Sequence, residues 1–469
     1  MNPSSIEQLE KLVKALEAGS YNAAPSSLVQ GAALQVEDLS PVLENVTFDD
    51  SHIKLQSMLK SKAVKSTLAQ FDRQLSYGHF GGSAQLEGNL GAEKTSDFVR
   101  VVVPMCYYSH HRRVTVASTL VSTVDGVAAD DRAAADAAKI IAADVEFDLF
   151  RGRADFSNAG VFDGNPLAIP GVMANMIGVD VQIRQSDNQA TAQDRYFAEF
   201  GADESCVVAG GGALSQDLVE EASVRSAMHM GNADKLVVDP RVLSVYNRIV
   251  FGKERIILAG SPQAATGADL RKQWTSNATV SVEASRFLTG KTRPAPARPD
   301  GPSAPTLVSA TPGAISGATT PFLAGEAYVY YVTAVNEVGE SPASSSSTAT
   351  IATSGHGVTL TITPSGTGTT RSLNVYRSAA GGTAASARFI GRVVAAATGN
   401  TTFIDIGNKQ PGFVTGFLVQ GDTMEIKELA PYSRLKLAVA DLSIPEAHFR
   451  FATLAVMQPR KNTLIDNLR

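Results

Sequence analysis

The chain has 469 residues, of which 44% are hydrophobic, so about three domains at roughly 150 residues each and a large buried core are available. A net charge of -5 argues against nucleic-acid binding through a general electrostatic field and leaves only local patches. Cys106 and Cys206, the only cysteines, are too few and too far apart for a disulfide framework or a zinc site and fit a reducing compartment. No run of 18 apolar residues occurs, and the opening MNPSSIEQLEKL has neither a basic start nor an apolar signal core, which predicts a protein made in a cytoplasm and not held in a membrane.

Residues 4 to 18 read as a short helix. Ser4 and Glu7 form a capping-box pattern, Ile6, Leu9, Val13 and Leu16 share a face, and Gly19 supplies the stop. An isolated helix of this length is marginal in water, so Ile6 and Leu9 are candidates for contact with another part of the fold or another chain. From Ser20 to about Gln74 the texture is that of an extended arm carrying one helix, about Ser51 to Leu75. The expected arm spans residues 1 to 75.

A glycine-rich stretch, GHFGGSAQLEGNLG, then opens what reads as a long hairpin over 76 to 118, with strand alternation at Val99, Val101 and Val103 and again at Val114 and Val116. Glu87, Arg100, Arg112 and Arg113 are its candidate interchain contacts. Next comes a helix from Asp131 to Arg151, roughly 30 Å long at 1.5 Å per residue, ended by Gly152. Its stripe of Ala137, Ile140, Ile141, Val145 and Leu149 predicts that it lies flat against a sheet. The loop NAGVFDGNPLAIPGV follows, then a polar strand near Val179 to Arg184 and a helix around Ala192 to Phe200. Ser215 to Gly231 is a further helix, and Leu236 to Val238 a buried strand that turns at Pro240 into another.

Composition breaks sharply at Lys291. KTRPAPARPDGP, residues 291 to 302, is a proline-rich linker that in extended form reaches roughly 37 Å at about 3.1 Å per residue. Between Ser303 and Gly412 only nine residues are charged, and short alternating apolar stretches rich in Ser, Thr, Gly and Ala predict a β-sandwich. The 57 residues after it are too few for a core of their own, so the flanking segments are expected to close one fold around an insertion.

The motifs that could carry chemistry read as structural. Gly210, Gly211 and Gly212 precede a helix but lack the Lys-Ser/Thr of a phosphate loop and the spacing of a dinucleotide fingerprint. His110, His111, Arg112 and Arg113 beside Tyr107 and Tyr108 could bind single-stranded nucleic acid, yet strand neighbours point to opposite faces, which favours subunit contacts or a solvated face. The seven histidines show no metal-ligand spacing, and no GxSxG turn, HExxH or catalytic cysteine context is present. The expectation is no enzyme, no cofactor and no metal.

Two resemblances sharpen this reading. YVYYVTAVNEVGESP at Tyr328 to Pro342, with LNVYRSAAGGT and TTFIDIGNKQPG, resembles a fibronectin type III or immunoglobulin-like domain covering most of 303 to 412. The host resembles the Hong Kong 97-like fold of tailed-phage major capsid proteins, through the order of its parts. These are an arm, the hairpin, the helix ending in FRGR, VFDGNPLAIPG, EEASVRSAMHMGNADKLVVDPRVL and the tail HFRFATLAVMQPRKNTLIDNL.

The resemblance implies an α+β capsid fold with an inserted all-β sandwich. A spine helix and peripheral domain would span 119 to 206 and be completed by 441 to 469; an axial domain would span 207 to 290 and be completed by 413 to 440. It further implies self-assembly as hexamers and pentamers into an icosahedral virion head that encloses double-stranded DNA without sequence-specific binding. The sandwich would project outward, with scaffold, portal and decoration proteins as further partners and the host bacterial cytoplasm as the place of synthesis. The residues leave open a tail, baseplate or adhesion protein that binds carbohydrate or protein through the sandwich. They also leave open an encapsulin-like compartment and a polysaccharide-degrading enzyme.

Overall fold

A computed structural model describes residues 50–77, 84–91, 93, 95–120, 127–152, 176–188, 205–251, 272–288, 293–294, 301–317, 320–336, 339–366, 370–396, 398–438 and 442–469. The expected helices at 4 to 18 and at 192 to 200, most of the proline-rich linker and the loop NAGVFDGNPLAIPGV lie outside these residues. The described chain is mixed α+β. Two compact units are distinguished: a small one formed by residues 1–48, 113–133 and 439–444, and a large one containing the rest. In the small unit the amide of Val116, which opens α2 (Val116–Leu120), donates to the carbonyl of Leu442 at 3.0 Å.

The large unit begins with one turn of helix, α1 (Leu55–Met58), followed by β1 (Lys60–Ala63) and β2 (Leu68–Ser76). The expected helix from Ser51 to Leu75 is therefore replaced by two strands. Lys60–Ala63 gives its backbone to parallel pairing with Glu425–Glu428, and exposure along β2 alternates with period two, Ala69 buried between exposed Leu68 and Gln70. β2 pairs with β3 (Asp97–Pro104) in an antiparallel two-stranded ribbon. The hairpin thus starts earlier than the glycine-rich stretch, and β4 (Cys106–Thr115) leaves it to join another sheet. Val116, read as a strand residue, opens a helix.

The long helix α3 (Ala129–Arg151) is where the alanine-rich pattern places it, and Ala137, Ile141, Val145 and Leu149 are buried along one side. Its stop at Gly152 is steric. A Cβ there would sit 2.0 Å from the carbonyl oxygen of Met176, and one at Gly178 would sit 2.7 Å from that of Asp148, so the two glycines let backbones touch. Beyond lies α4 (Val179–Asn188), a helix where a strand is predicted. Val179, Val181 and Ile183 alternate with polar residues, yet all are buried. The polar partners are absorbed by Arg184 pairing with Asp180 one turn away at 2.7 Å and Gln182 donating to the carbonyls of Ile177 and Leu454.

Next come β5 (Val207–Ala209), α5 (Gln216–Met228), β6 (Lys235–Val238), α6 (Pro240–Phe251), β7 (Lys272–Trp274) and β8 (Thr279–Ala284). Ser215 caps α5 by accepting from the amide of Leu218 at 3.2 Å. Seven short strands follow: β9 (Thr306–Gly313), β10 (Ala327–Val335), β11 (Ser347–Thr350), β12 (Gly357–Thr363), β13 (Ser372–Arg377), β14 (Arg388–Val394) and β15 (Thr401–Asp405). They form a four-stranded sheet in the order β11-β10-β13-β14 and a three-stranded sheet in the order β15-β12-β9, with all neighbours antiparallel. Tyr330, Val332, Leu360, Ile362, Val375 and Ile390 meet in a core that both sheets share.

The chain then returns through β16 (Val414–Val419), β17 (Met424–Lys436), β18 (Ser443–Val456) and β19 (Thr463–Leu468). A six-stranded sheet runs β5-β19-β16-β6-β8-β7, so β8, the last strand before the seven, and β16, the first after them, flank the same neighbour β6. One face, with Leu236, Val238, Leu418 and Ile465, packs with Val219 and Ala222 of α5 and Tyr246 of α6. The pleat sends Val237, Phe417, Val419 and Leu464 the other way, into a core shared with α3, α4 and the sheet β1-β17-β18-β4.

Glu146, fully buried on α3, accepts from the amides of Lys54, Leu55 and Gln56 at 2.9, 2.7 and 2.8 Å, closing the open donors of α1 with a carboxylate. Burial pushes its pKa up, against the pull of the three amides. Glu146→Gln turns an amide group toward N–H donors. The expected result is a loss of about 1–3 kcal/mol of stability, read by urea unfolding.

Candidate subunit interface

The ribbon β2–β3 and its connection carry exposed apolar and charged side chains. A two-stranded hairpin is at best marginally stable alone in water, because it cannot bury a face. This one leaves Tyr77, Leu86, Leu90 and Phe98 exposed, Leu90 at 98% and Phe98 at 66%. Glu87 sits in a tight turn closed by the amide of Asn89 donating to the carbonyl of Leu86 at 3.1 Å, and Gly88 there has φ +89°, a left-handed conformation that favours glycine. Arg100 of β3 spans the ribbon to Asp72 of β2 through two bonds, Nε at 2.8 Å and a terminal nitrogen at 3.2 Å. The bidentate bond from Arg100 holds the Asp72 carboxyl below its ordinary value, and the pair is solvent-exposed.

Arg100 and Glu87 therefore belong to one hairpin, with the Arg100 charge already matched inside its own chain. Arg112 lies half-buried on β4, and Arg113, the next residue, is exposed. Ile6 and Leu9 lie outside the described residues. The features that sequence reasoning misses are Asp72 and the apolar residues. The signal for Asp72 is the alternation of LAQFDRQLS, hidden by reading it as a helix.

On one face of the sheet β1-β17-β18-β4, Tyr107 meets Phe451 edge-on at 4.9 Å, and Phe451 meets Phe449 at 5.1 Å. Tyr107 is 53% exposed, so this aromatic row reaches the surface. Another set of β18 side chains is buried and charged. Glu446 takes two bonds from Arg434, at 2.6 and 2.7 Å, and lies 3.6 Å from His448. The Tyr432 hydroxyl donates to the carbonyl of Ala134 at 3.0 Å, which leaves it to accept from Nδ1 of His448 at 2.9 Å. His110 of β4 pairs with Asp144 of α3 at 3.1 Å.

Both cysteines are buried, and burial, reinforced by Asp148, pushes the Cys106 thiol up to about 12. Gly211 and Gly212 spend their carbonyls on Gln410 and on the amide of Arg469. Among the described residues no three His, Cys, Asp or Glu side chains group as a metal site, and no helix is long and apolar enough to cross a membrane.

Burial holds His448 below its ordinary 6.5, opposed by Glu446 and reinforced by Arg434, Arg112 and His110. The unfolded chain then takes up the proton first as pH falls, so this contribution is present above about pH 6.5 and is lost as pH falls through the lower folded value. Urea midpoints measured from about pH 7 to pH 5 should decline, and His448→Gln should flatten the decline. An unchanged slope in that variant assigns it to another group.

No family model matches the chain. The major capsid protein of Staphylococcus phage S25-3 is 22% identical over 480 residues, covering 98% of this chain and 95% of that protein. A putative major capsid protein of Enterococcus phage phiEF24C is 23% identical over 473 residues, with the same coverage. Among solved structures, the capsid of a native GTA particle aligns over 96% of this chain and 100% of its own with 10% identity and a TM-score of 0.48, a likeness that by itself decides nothing. Both relatives are named for a structural role, that of a major capsid protein. Along nearly its whole length the chain is thus similar to phage major capsid proteins.

Proposed function

We propose that this chain is the repeating shell subunit of a tailed-phage head, assembling as hexamers and pentamers around double-stranded DNA. The observation that carries the reading is the hairpin of the antiparallel ribbon β2–β3 and its connection, apolar at Leu86, Leu90 and Phe98 with no third layer among the described residues to cover them. Burial of one such side chain contributes about 1.5–3 kcal/mol. A neighbouring subunit supplies the missing layer, and the contact recurs at every copy. Exposed pairs such as Arg100–Asp72 then act on register more than on strength. Glu87, Arg112 and Arg113 are the interchain contacts, and Ile6 and Leu9 the arm contacts. A net charge of -5 suits a wall that must not hold DNA tightly. Scaffold, portal and decoration proteins are the further partners of such a shell.

The seven strands from β9 to β15 constitute the inserted immunoglobulin-like domain in this reading. Their four-stranded order, β11-β10-β13-β14, with β9 and β12 paired opposite, matches the C′-C-F-G and B-E pairs of that architecture. The departure is β15, which follows the last of these in sequence yet lies beside β12, where a strand D stands in the antibody type. The domain faces outward on the shell.

Negative-stain electron microscopy of the purified protein, with sedimentation, tests the reading: closed shells or capsomer-like rings are expected. A small oligomer that persists when scaffold proteins from the same source are supplied refutes it. Leu90→Asp with Phe98→Asp should abolish those particles while leaving the protomer's melting temperature within a few degrees, because both side chains are solvated before assembly.

A further inference from the structure

The segment between β15 and β16 is short, and its backbone and side chains are engaged on both sides. Toward the sandwich, the carbonyl of Lys409 accepts from Arg377 at 2.7 Å, and the amide of Gly412 donates to the carbonyl of Phe389 on β14 at 2.8 Å. Phe413 stacks on Phe389 with centroids 6.3 Å apart, and the Lys409 ammonium lies 4.9 Å from the Phe413 ring. Arg377 is anchored in turn. It bonds the buried carboxylate of Asp405 at 2.6 Å, which also accepts from Tyr330 at 2.9 Å, so the segment is tied to the polar centre of the sandwich.

Toward the six-stranded sheet, the same residues grip the last strand. Lys409 pairs with Asp466 of β19, the amide of Gln410 donates to Oδ1 of Asn467 at 2.7 Å, and Nδ2 of Asn467 donates to the carbonyl of Asn408 at 3.0 Å. The side chain of Gln410 reaches the carbonyl of Gly211. Asp466 is 4% exposed and also accepts from Arg184 of α4 and Thr415 of β16, each at 3.1 Å. Asn467 holds φ at +60°, a left-handed turn that aims its amide at Asn408 and Gln410.

We infer that Asn408–Phe413 is a strap which fixes the seven-stranded sandwich to β19, so that the sandwich is a brace of the six-stranded sheet and not a tethered appendage. A flexible return would leave these backbone groups to water and place no lysine on a buried carboxylate. β19 is the strand that benefits, because it holds β5 in parallel on one side and β16 on the other. Load or ligand applied to the sandwich passes through Lys409 and Gln410 to β19.

The test is hydrogen exchange of the full-length chain, read at the amides of Leu464–Leu468 with those of Val145–Phe150 on α3 as reference. In Lys409→Ala/Gln410→Ala the β19 amides should exchange about tenfold faster or more while the α3 amides keep wild-type protection. Replacement of residues 303–407 by a short Gly-Ser linker should reproduce the effect, because Arg377 and Phe389 no longer hold the strap. Unchanged protection of β19 in the double variant overturns the inference. If both regions lose protection, the milder Gln410→Ala decides: faster exchange confined to β19 supports the strap, and wild-type exchange overturns it. Exchange is read on the protein whatever its state of assembly, so failure here is separate from failure to form shells.

Discussion

The fold depends on backbone pairing by the end of the chain. Residues 414 to 469 supply β16 and β19 to the six-stranded sheet and β17 and β18 to the four-stranded one, in each case as interior strands. Neither sheet can close until the last residues have been placed, and the core between them, from Val145 and Phe150 on α3 to Phe417 and Leu454, is formed by residues far apart in sequence. Such long-range pairing is slow to form, since loop closure precedes the contacts that reward it. The seven strands from β9 to β15, by contrast, draw their shared core from one contiguous stretch of the chain.

Polar groups buried in this chain sit where segments are joined. Glu146 joins α1 to α3, Asp466 joins α4, β16, β19 and the strap, and Glu446 joins β17 to β18. Burial alone raises the pKa of Asp466, yet the Arg184 and Lys409 charges beside it hold the carboxyl far below the usual range. Each of these groups has directional partners that only one arrangement supplies. Apolar surface drives the pieces together, and the buried charges choose the register.

How much of this could be read in the sequence follows from the range of the forces involved. The helix Ala129–Arg151 announced itself through a stripe at helical spacing and a glycine stop, and α5 through Ser215, because caps and periodicity are local. The stretch from Ser51 to Leu75 misled because its strands exist by pairing with residues outside it, as Lys60 does with Glu425 and Leu68 with Pro104. Val179–Asn188 misled in the opposite sense: a helix enclosed on all sides loses its polar face, and its β-branched residues imitate a strand. At the candidate interface, the charges Glu87, Arg100 and Arg112 were legible as residues, but the partner of Arg100 across the ribbon was not. The apolar tips Leu86, Leu90 and Phe98 matter only once the ribbon is seen to have no third layer among the described residues.

The two buried cysteines carry a consequence for the life history of a particle. Cys106 is enclosed with its thiol protonated at neutral pH, and Cys206 is equally inaccessible, its Sγ 3.4 Å from the carbonyl of Arg460. The thiolate is the species that oxidises and exchanges, so neither position offers a route to interchain disulfides. In a shell built as proposed, neither cysteine would respond to a change from a reducing to an oxidising medium.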